Sequence, residues 1–547
     1  MTARTFAARL WPWLAAASTG VLLALCFPRY NQAWLCWIAL TPLLCALWFS
    51  GDGGKRPWLK NAGLGFCAGV VFFCIVFFWL TTVTDLMSPR ILGALAWFGL
   101  MCYLALYFAL WGWFTGSVAF RAKTGTPKLA SSRHNLWLGM ICAAAWVGQE
   151  WLRGVVFSGF GWNNLGVALH DTIPLIQVCD ITGAAGLSFL LALANVIAVV
   201  TVRRFMLEAE NHKLRPHFDF MLTVALLVVV LFYGYARVLL RKPEPIIPLR
   251  VAAIQGNIPE TEKFDEAFAD MIVKRYTELT GAAMITPPEQ RPQLLIWPEA
   301  ATPGGMYQDD DDHNFVMDTA EKIDTNFLLG TLDNDGHFDY NIAVLIPSGA
   351  AHDDTQVQKH RKLHLVPFGE YIPARHSFPL FAELAGTLVP GDFQPGTEYN
   401  VLQTRDPDVK IGPLICFEDT LGNLTRRFVL NGAQVLVNIT NDDWFLKSPA
   451  AEQHLDNAVL RAVELRRPLI RCANTGVTCF INPNGNITSA LRSKKGDTFI
   501  QGFLRGEVNV PVNGQLTFYA KYGDWFSYAS LLLAAAVAAV HFIRRRA

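Results

Sequence analysis

Charge is what this chain has least of. Of its 547 residues only 17% are Asp, Glu, Lys or Arg, and they nearly cancel, leaving a formal net charge of +1. No segment carries the basic stripe that follows a phosphate backbone, so nucleic acid is excluded as a partner. Metal-site signatures are also missing. There is no CxxC pair, and no HxxxH-type helix holds His352, His360, His364 or His376. The acidic run Asp309 to Asp312 lacks the EF-hand alternation and reads as a solvated loop. Neither a metal nor a cofactor is expected.

What the chain has instead is apolar length. It is 52% hydrophobic, and that content gathers at the two ends. Eight runs are long enough to cross about 30 Å of hydrocarbon as helices: Leu10 to Phe27, Ala33 to Phe49, Ala62 to Leu80, Ile91 to Phe114, Leu136 to Trp151, Ile176 to Val202, Phe220 to Tyr235 and Trp525 to Phe542. The expected organisation is a seven-span membrane domain over 1–240, a soluble insert over 247–516 and an eighth span over 525–543. The first run lacks a small-residue cleavage site and reads as a retained span.

Orientation follows from Lys and Arg in the short loops, which stay cytoplasmic. One set carries Arg4 and Arg9; Lys55, Arg56 and Lys60; Arg121, Lys123, Lys128 and Arg133; Arg203, Arg204, Lys213 and Arg215; and Arg544 to Arg546, 16 in all. The alternate set has Arg29, Arg90 and Arg153. Both termini are therefore expected in the cytoplasm and the insert outside. Arg237, Arg241 and Lys242 stand on the outer side just before the insert, where a large translocated domain escapes the rule. Glu150 and Arg153, three apart at a span's outer end, read as a local ion pair, with contact to a lipid headgroup as the alternative.

Eight of the eleven cysteines lie in or beside spans, where Cys acts as a small apolar residue. The insert holds three: Cys416, Cys472 and Cys479. A Cys472–Cys479 bridge stays open, and it would leave Cys416 free.

Cys416 lies in IGPLICFED, after an apolar run. Glu299 ends LLIWPEAA, and Lys362 opens KLHLVPFGEY. A thiol is mostly protonated near neutral pH, so a cysteine nucleophile needs a base and a stabilising cation. Glu299 and Lys362 supply these types. The insert alternates strand and helix: strand 251–258, an amphipathic helix Glu262 to Leu279, the strand ending at Glu299, NFLLGTLD, the NIAVLIP strand opening at Asn341, the Lys362 strand, and VKIGPLICFED. Beyond it come a helix ending at Asn-Gly, strand AQVLVNITND, helix Glu452 to Arg466 and a hairpin with an Asn-Gly turn. This is a two-layer sheet core flanked by helices. Cys416 falls on a strand-to-helix turn, where its own N–H and that of Phe417 could receive an oxyanion at the helix's positive end.

The order Glu, Lys, Cys resembles the nitrilase superfamily. More closely, IQGNIP, WPEAA, LVPFGEYIP, ICFED and ITNDDWF, set between seven spans and one, resemble apolipoprotein N-acyltransferases. The resemblance implies an α-β-β-α nitrilase-like sandwich facing the periplasm from the bacterial inner membrane. The implied activity is transfer of a fatty acyl group from a phospholipid to the amino group of an N-terminal diacylglyceryl-cysteine. It makes Glu299 the base, Lys362 the lysine and Cys416 the nucleophile, with further functional carboxylates at Glu370 and Glu418; Asn341 is a supporting candidate. Glu370 would keep Lys362 charged; its bland alternative is capping the following turn. Phe417 stands where the family commonly has Tyr, and Phe264 where Trp is usual, which keeps an aromatic wall but loses an indole N–H. NDDWFLKS departs after WF, where Gly-Asp is common. The stretch Phe378 to Val389 is core packing or a lid dipping into lipid. A membrane-tethered amidase and a non-catalytic lipoprotein-binding or transport protein are the rival classes.

Overall fold

A computed structural model describes residues 3–51, 56–84, 90–119, 131–210, 212, 215–240, 244–351, 353–372 and 392–546. The stretch Phe378 to Val389, His352, His376 and the loop cations Lys55, Arg121, Lys123, Lys128, Lys213, Arg241 and Lys242 lie outside them. The chain divides into a helical unit made from its two ends, to Leu240 and from Asp524, and a second unit between them.

In the helical unit, Ser132–Val155 packs against both Ala184–Glu210 and Trp525–Arg546. Pro57–Val76 and Arg90–Trp113 come close because Gly65 and Gly69 present no side chain. A Cβ on Gly65 would stand 2.2 Å from Phe108 O, the small-residue approach typical of membrane helices. Five described helices are long and apolar enough to cross a membrane: Pro57–Val76, Arg90–Ala119, Ala184–Glu210, Phe218–Leu239 and Trp525–Arg544. This is a membrane protein.

Three expected spans differ in form, and a fourth, Leu10 to Phe27, is a shorter apolar helix over Arg9–Leu25 that is not among the five. Ala33–Phe49 is a 3-10 turn to Trp37 followed by a short helix from Thr41. Ile176 to Val202 becomes a helix only at Ala184, after two short helical turns and Gly183 at φ +67°. Ser132–Val155 is long enough, but it buries Asn135, Gln149, Glu150 and Arg153 and is not among the five. Glu150 and Arg153 do not form the expected ion pair. Arg153 donates to Phe160 O (3.0 Å), Trp162 O (2.7 Å) and Asn164 Oδ1 (2.7 Å), while Glu150 Oε1 accepts from Trp146 Nε1 (2.8 Å) and Leu165 N (2.7 Å). Arg153 is thus bonded to the loop that follows the helix, and Glu150 to Trp146 of its own helix and to Leu165 beyond it.

The second unit is two six-stranded sheets. One runs β12-β1-β2-β3-β4-β5 and the other β11-β10-β9-β8-β7-β6. The strands are β1 Ile246–Gln255, β2 Leu294–Ile296, β3 Asn326–Asn334, β4 Asp339–Ile346, β5 Gln358–Arg361, β6 Leu402–Gln403, β7 Lys410–Ile415, β8 Val435–Thr440, β9 Leu469–Ala473, β10 Cys479–Ile481, β11 Ile487–Ala490 and β12 Gly502–Pro511. β1, β2 and β3 are parallel, as are β7, β8 and β9.

Strand alternation assigns the faces. Leu249, Val251 and Ala253 of β1 join Ile411, Ile415, Val437 and Ile470 in a core between the sheets. Ala252 and Ile254 point the other way, under the helices Ala269–Met284 and Asp310–Ile323. The result is the expected α-β-β-α sandwich. Cys472 sits in the core between the sheets, and it and Cys479 are both free thiols.

Two local expectations fail for reasons of capping. Glu262 to Leu279 is not one helix: a turn over Glu260–Lys263 ends at Phe264, Asp265 caps a new 3-10 turn by accepting from Ala267 N, and the α-helix begins at Ala269. The run Asp309 to Asp312 is no solvated loop. Asp309 is the N-cap of Asp310–Ile323, accepting from Asp311 N at 2.7 Å, and Asp310 and Asp311 fill the first turn, where the helix dipole favours anions. Asp312 is buried and accepts from Gly304 N.

Candidate active site

Three strand ends deliver the candidate residues. Glu299 follows β2 through Trp297 and Pro298. Trp297 is locked between Tyr276 and Phe327, each 4.7 Å away by ring centroid, and donates Nε1–H to Thr280 Oγ1 at 2.9 Å. β3 passes so close that a Cβ on Gly330 would stand 2.6 Å from the Glu299 Cα, so only glycine fits there. Lys362 follows β5 and keeps the ladder going, donating its N–H to Asn341 O at 2.9 Å. Cys416 follows β7, at φ +53°. A non-glycine residue held there stores roughly 1–3 kcal/mol.

The structure joins four expected residues directly. Lys362 Nζ stands 2.8 Å from Glu370 Oε1 and 3.3 Å from Glu299 Oε1, and the lysine is 2% exposed. Asn341 Nδ2 donates to both carboxylates, at 2.8 Å to Glu299 Oε1 and 3.0 Å to Glu370 Oε1. Glu370 Oε2 also accepts from Val366 N at 2.8 Å, so Glu370 both pairs the lysine and caps a turn. Burial works against the Lys362 charge, yet Glu370 and Glu299 outweigh it and hold its pKa above the ordinary lysine value.

Cys416 lies in the field of this cluster. Burial is the largest influence on its thiol and pushes the pKa up; Glu299 adds to the rise and Lys362 opposes it. These influences favour the protonated thiol at rest.

Glu418 contributes by fastening two strand ends together rather than by touching the thiol. Its Oε1 accepts from Leu363 N (2.7 Å) and His364 N (3.1 Å), and its Oε2 accepts from Ile415 N (2.8 Å). Burial raises its carboxyl to about 7 against those N–H groups and Lys362. Phe417 is buried and stacks on His364 at 5.8 Å. Phe264 is 51% exposed and shares no hydrogen bond with the cluster among the described residues. The helix N-terminus expected at Cys416 is 3-10 rather than α. Cys416–Thr420 is a single 3-10 turn, and the α-helix starts at Gly422.

Some residues at the site were not anticipated. Lys263 is buried and donates to the backbone O of Glu299 at 2.8 Å; burial pulls its pKa down against Glu260, Glu299 and Asp443. Asn438 Nδ2 (2.9 Å) and His454 Nε2 (3.2 Å) meet at the carbonyl O of Cys416. Lys263 stands inside IQGNIPETEKF, so a lysine next to the expected Phe264 was the available signal. His454 gave none, because its partners are distant in sequence.

Fold and site together define a membrane protein carrying a carbon-nitrogen-hydrolase domain. A family model of carbon-nitrogen hydrolase matches residues 250–505, and one described as the apolipoprotein N-acyltransferase N-terminal domain matches 19–197. The apolipoprotein N-acyltransferase of Geobacter metallireducens is 36% identical across 97% of this chain and 96% of its own. That of Methylococcus capsulatus is 30% identical across 97% and 96%. Among solved structures, a carbon-nitrogen hydrolase from Helicobacter pylori G27 aligns with 48% of this chain and 89% of its own, at 14% identity and a TM-score of 0.36. The chain belongs to the apolipoprotein N-acyltransferase family.

Proposed function

We propose that this protein moves a fatty acyl group from a phospholipid, through a thioester on Cys416, to the α-amino group of an N-terminal diacylglyceryl-cysteine on an apolipoprotein. The observation that carries the reading is the Glu299–Lys362–Glu370 cluster acting on Cys416, in a chain of this family.

Glu299 takes the thiol proton as Sγ attacks the ester carbonyl, and Lys362 stabilises the developing oxyanion. Collapse expels the lysophospholipid alcohol, which receives the proton from Glu299 and leaves the thioester. The acceptor's free amine then attacks that carbonyl and gives a proton to Glu299, which returns it to the departing Sγ. An amide is more stable than a thioester, so the second half runs forward. Glu370 and Asn341 orient and charge-balance Lys362 and Glu299, and Glu418 fixes the two strand ends. No cofactor takes part. The domain over 247–516 works on the periplasmic face of the bacterial inner membrane, with both termini cytoplasmic, as the 16 to 3 distribution of loop Lys and Arg supports.

The test supplies labelled phospholipid to the purified protein with and without a diacylglyceryl-cysteine peptide. Without acceptor, about one equivalent of lysophospholipid and a hydroxylamine-sensitive label on Cys416 are expected; acceptor then discharges the label into an amide. Continuous fatty-acid release without acceptor would instead establish an amidase-like hydrolase. Acyl transfer by Cys416→Ala would sink the mechanism.

A further inference from the structure

At the backbone carbonyl of Cys416, four charged side chains come together. Asp419 follows the nucleophile by three residues, Asp442 lies just past β8, His454 is on the helix Ala450–Leu465, and Arg471 is on β9. All four side chains are at most 1% exposed. Arg471 reaches Asp419 Oδ2 at 2.7 Å and Asp442 Oδ2 at 2.9 Å. His454 Nδ1 is 2.9 Å from Asp442 Oδ1, and its Nε2 is 2.8 Å from Asp419 Oδ1 and 3.2 Å from the Cys416 carbonyl O.

From this geometry we infer that His454 is a permanently charged imidazolium and a positioning residue for Cys416, whose backbone and thiol it governs through the lattice.

Two physical arguments support the charge. First, Nδ1 and Nε2 both face oxygen acceptors, and a neutral imidazole has only one N–H to offer. Arg471 Nη2 is also 2.9 Å from Nδ1. A neutral ring accepting that N–H would set its lone pair against Asp442 Oδ1. Second, with a neutral histidine the lattice would hold two carboxylates and one guanidinium, a net charge of −1 with no access to solvent. Protonation brings it to zero, which burial strongly favours. Asp419 and Asp442 raise the pKa of His454 in the same sense, against burial and Arg471.

The lattice reaches the nucleophile by two routes. Asn438 takes Arg471 Nη1–H on its Oδ1 at 3.0 Å and donates Nδ2–H to Cys416 O at 2.9 Å. Together with His454 it puts two donors on the carbonyl of a residue at φ +53°, so the strained turn is tied down. Asp442 also acts on the thiol electrostatically, beside Glu299 and Lys362, so a change in lattice charge is felt at Sγ.

The inference rests on Cys416 being the nucleophile, and its test is independent of acyl transfer. Full-length protein in detergent is treated with iodoacetamide at a series of pH values from 7 to 9, below the raised thiol pKa, where the rate follows the thiolate fraction, and alkylation of Cys416 is followed by peptide mass spectrometry. His454→Gln leaves the lattice at −1 and should slow alkylation about tenfold at each pH; Asp419→Asn leaves it at +1 and should speed it by a similar factor. A purely structural role would slow alkylation in both variants. Alkylation of Asp419→Asn no faster than wild type overturns the inference, even if His454→Gln fails to fold. Retained acyl transfer by Cys416→Ala would instead remove the functional reading, whatever the alkylation profiles show.

Discussion

Glu418→Gln separates two opposing effects on one side chain. The carboxylate receives three N–H donors, two on Oε1 and one on Oε2. A glutamine amide has one oxygen, so at best it keeps two of these bonds and turns an NH2 toward the third donor. One unsatisfied buried N–H costs about 1–3 kcal/mol. The glutamic acid itself is pushed up to about 7 by burial, from an ordinary value of 4.5. The folded state therefore holds this proton more tightly than the unfolded chain does. The stabilisation is full below about pH 4.5 and is lost as pH rises through about 7, amounting to roughly 3 kcal/mol. Glutamine does not titrate. Wild type should consequently exceed the variant most at pH 5, and the gap should narrow by pH 8. Thermal unfolding in detergent at both pH values measures it, with 1 kcal/mol worth roughly 2–4 °C for a unit of this size. A gap that widens with pH would show that the three N–H donors, not burial, control this carboxyl.

The sandwich was legible because its central strands are buried on both faces and so appear as apolar runs, LLIW, IGPLI and VLVNI, each followed by a polar word. Those words are where strands stop, which is why Glu299 and Cys416 could be located. Asn341, Lys362 and Glu370 lie within 29 residues of one another, around β4 and β5, and they come together. The rest depended on distant pairing. His454 meets Asp442 from 12 positions away, Arg471 meets Asp419 from 52, and Lys263 meets Glu299 from 36. The helix Ala450–Leu465 carries Gln453, His454, Asp456, Asn457, Arg461 and Glu464, all buried; a helix so polar reads as solvated unless its partners are known. The acidic run at Asp309 reads as a loop and is a helix cap, because N-capping depends on where the helix begins, which composition does not settle. Glu150 and Arg153 are paired by spacing, yet Arg153 bonds to the loop that follows it and Glu150 to Trp146 on its own helix and Leu165 beyond it.

Asp309→Ala removes a helix cap and should lower stability by about 1 kcal/mol while leaving acyl transfer unchanged, as thermal melts and lipid assays on one preparation would show. Single cysteines replacing Lys274 or Arg133 in a background without other thiols test orientation: impermeant maleimide added to intact inner-membrane spheroplasts should label the first and spare the second, and the reverse pattern would invert the topology. Glu299→Gln should split two properties that usually fall together. The Glu299 charge raises the thiol pKa of Cys416, whereas Lys362 lowers it. Removing that charge while keeping the side chain's shape leaves Lys362 less neutralised beside the thiol. The thiolate fraction at pH 8 should therefore rise, and iodoacetamide should modify Cys416 several-fold faster than in wild type. Acyl transfer should nonetheless collapse, by about a hundredfold or more, because nothing remains to carry the proton from thiol to leaving alcohol and from amine to Sγ. If alkylation and transfer fall in parallel, Glu299 holds the site together rather than moving protons, and the proton path must run through another group.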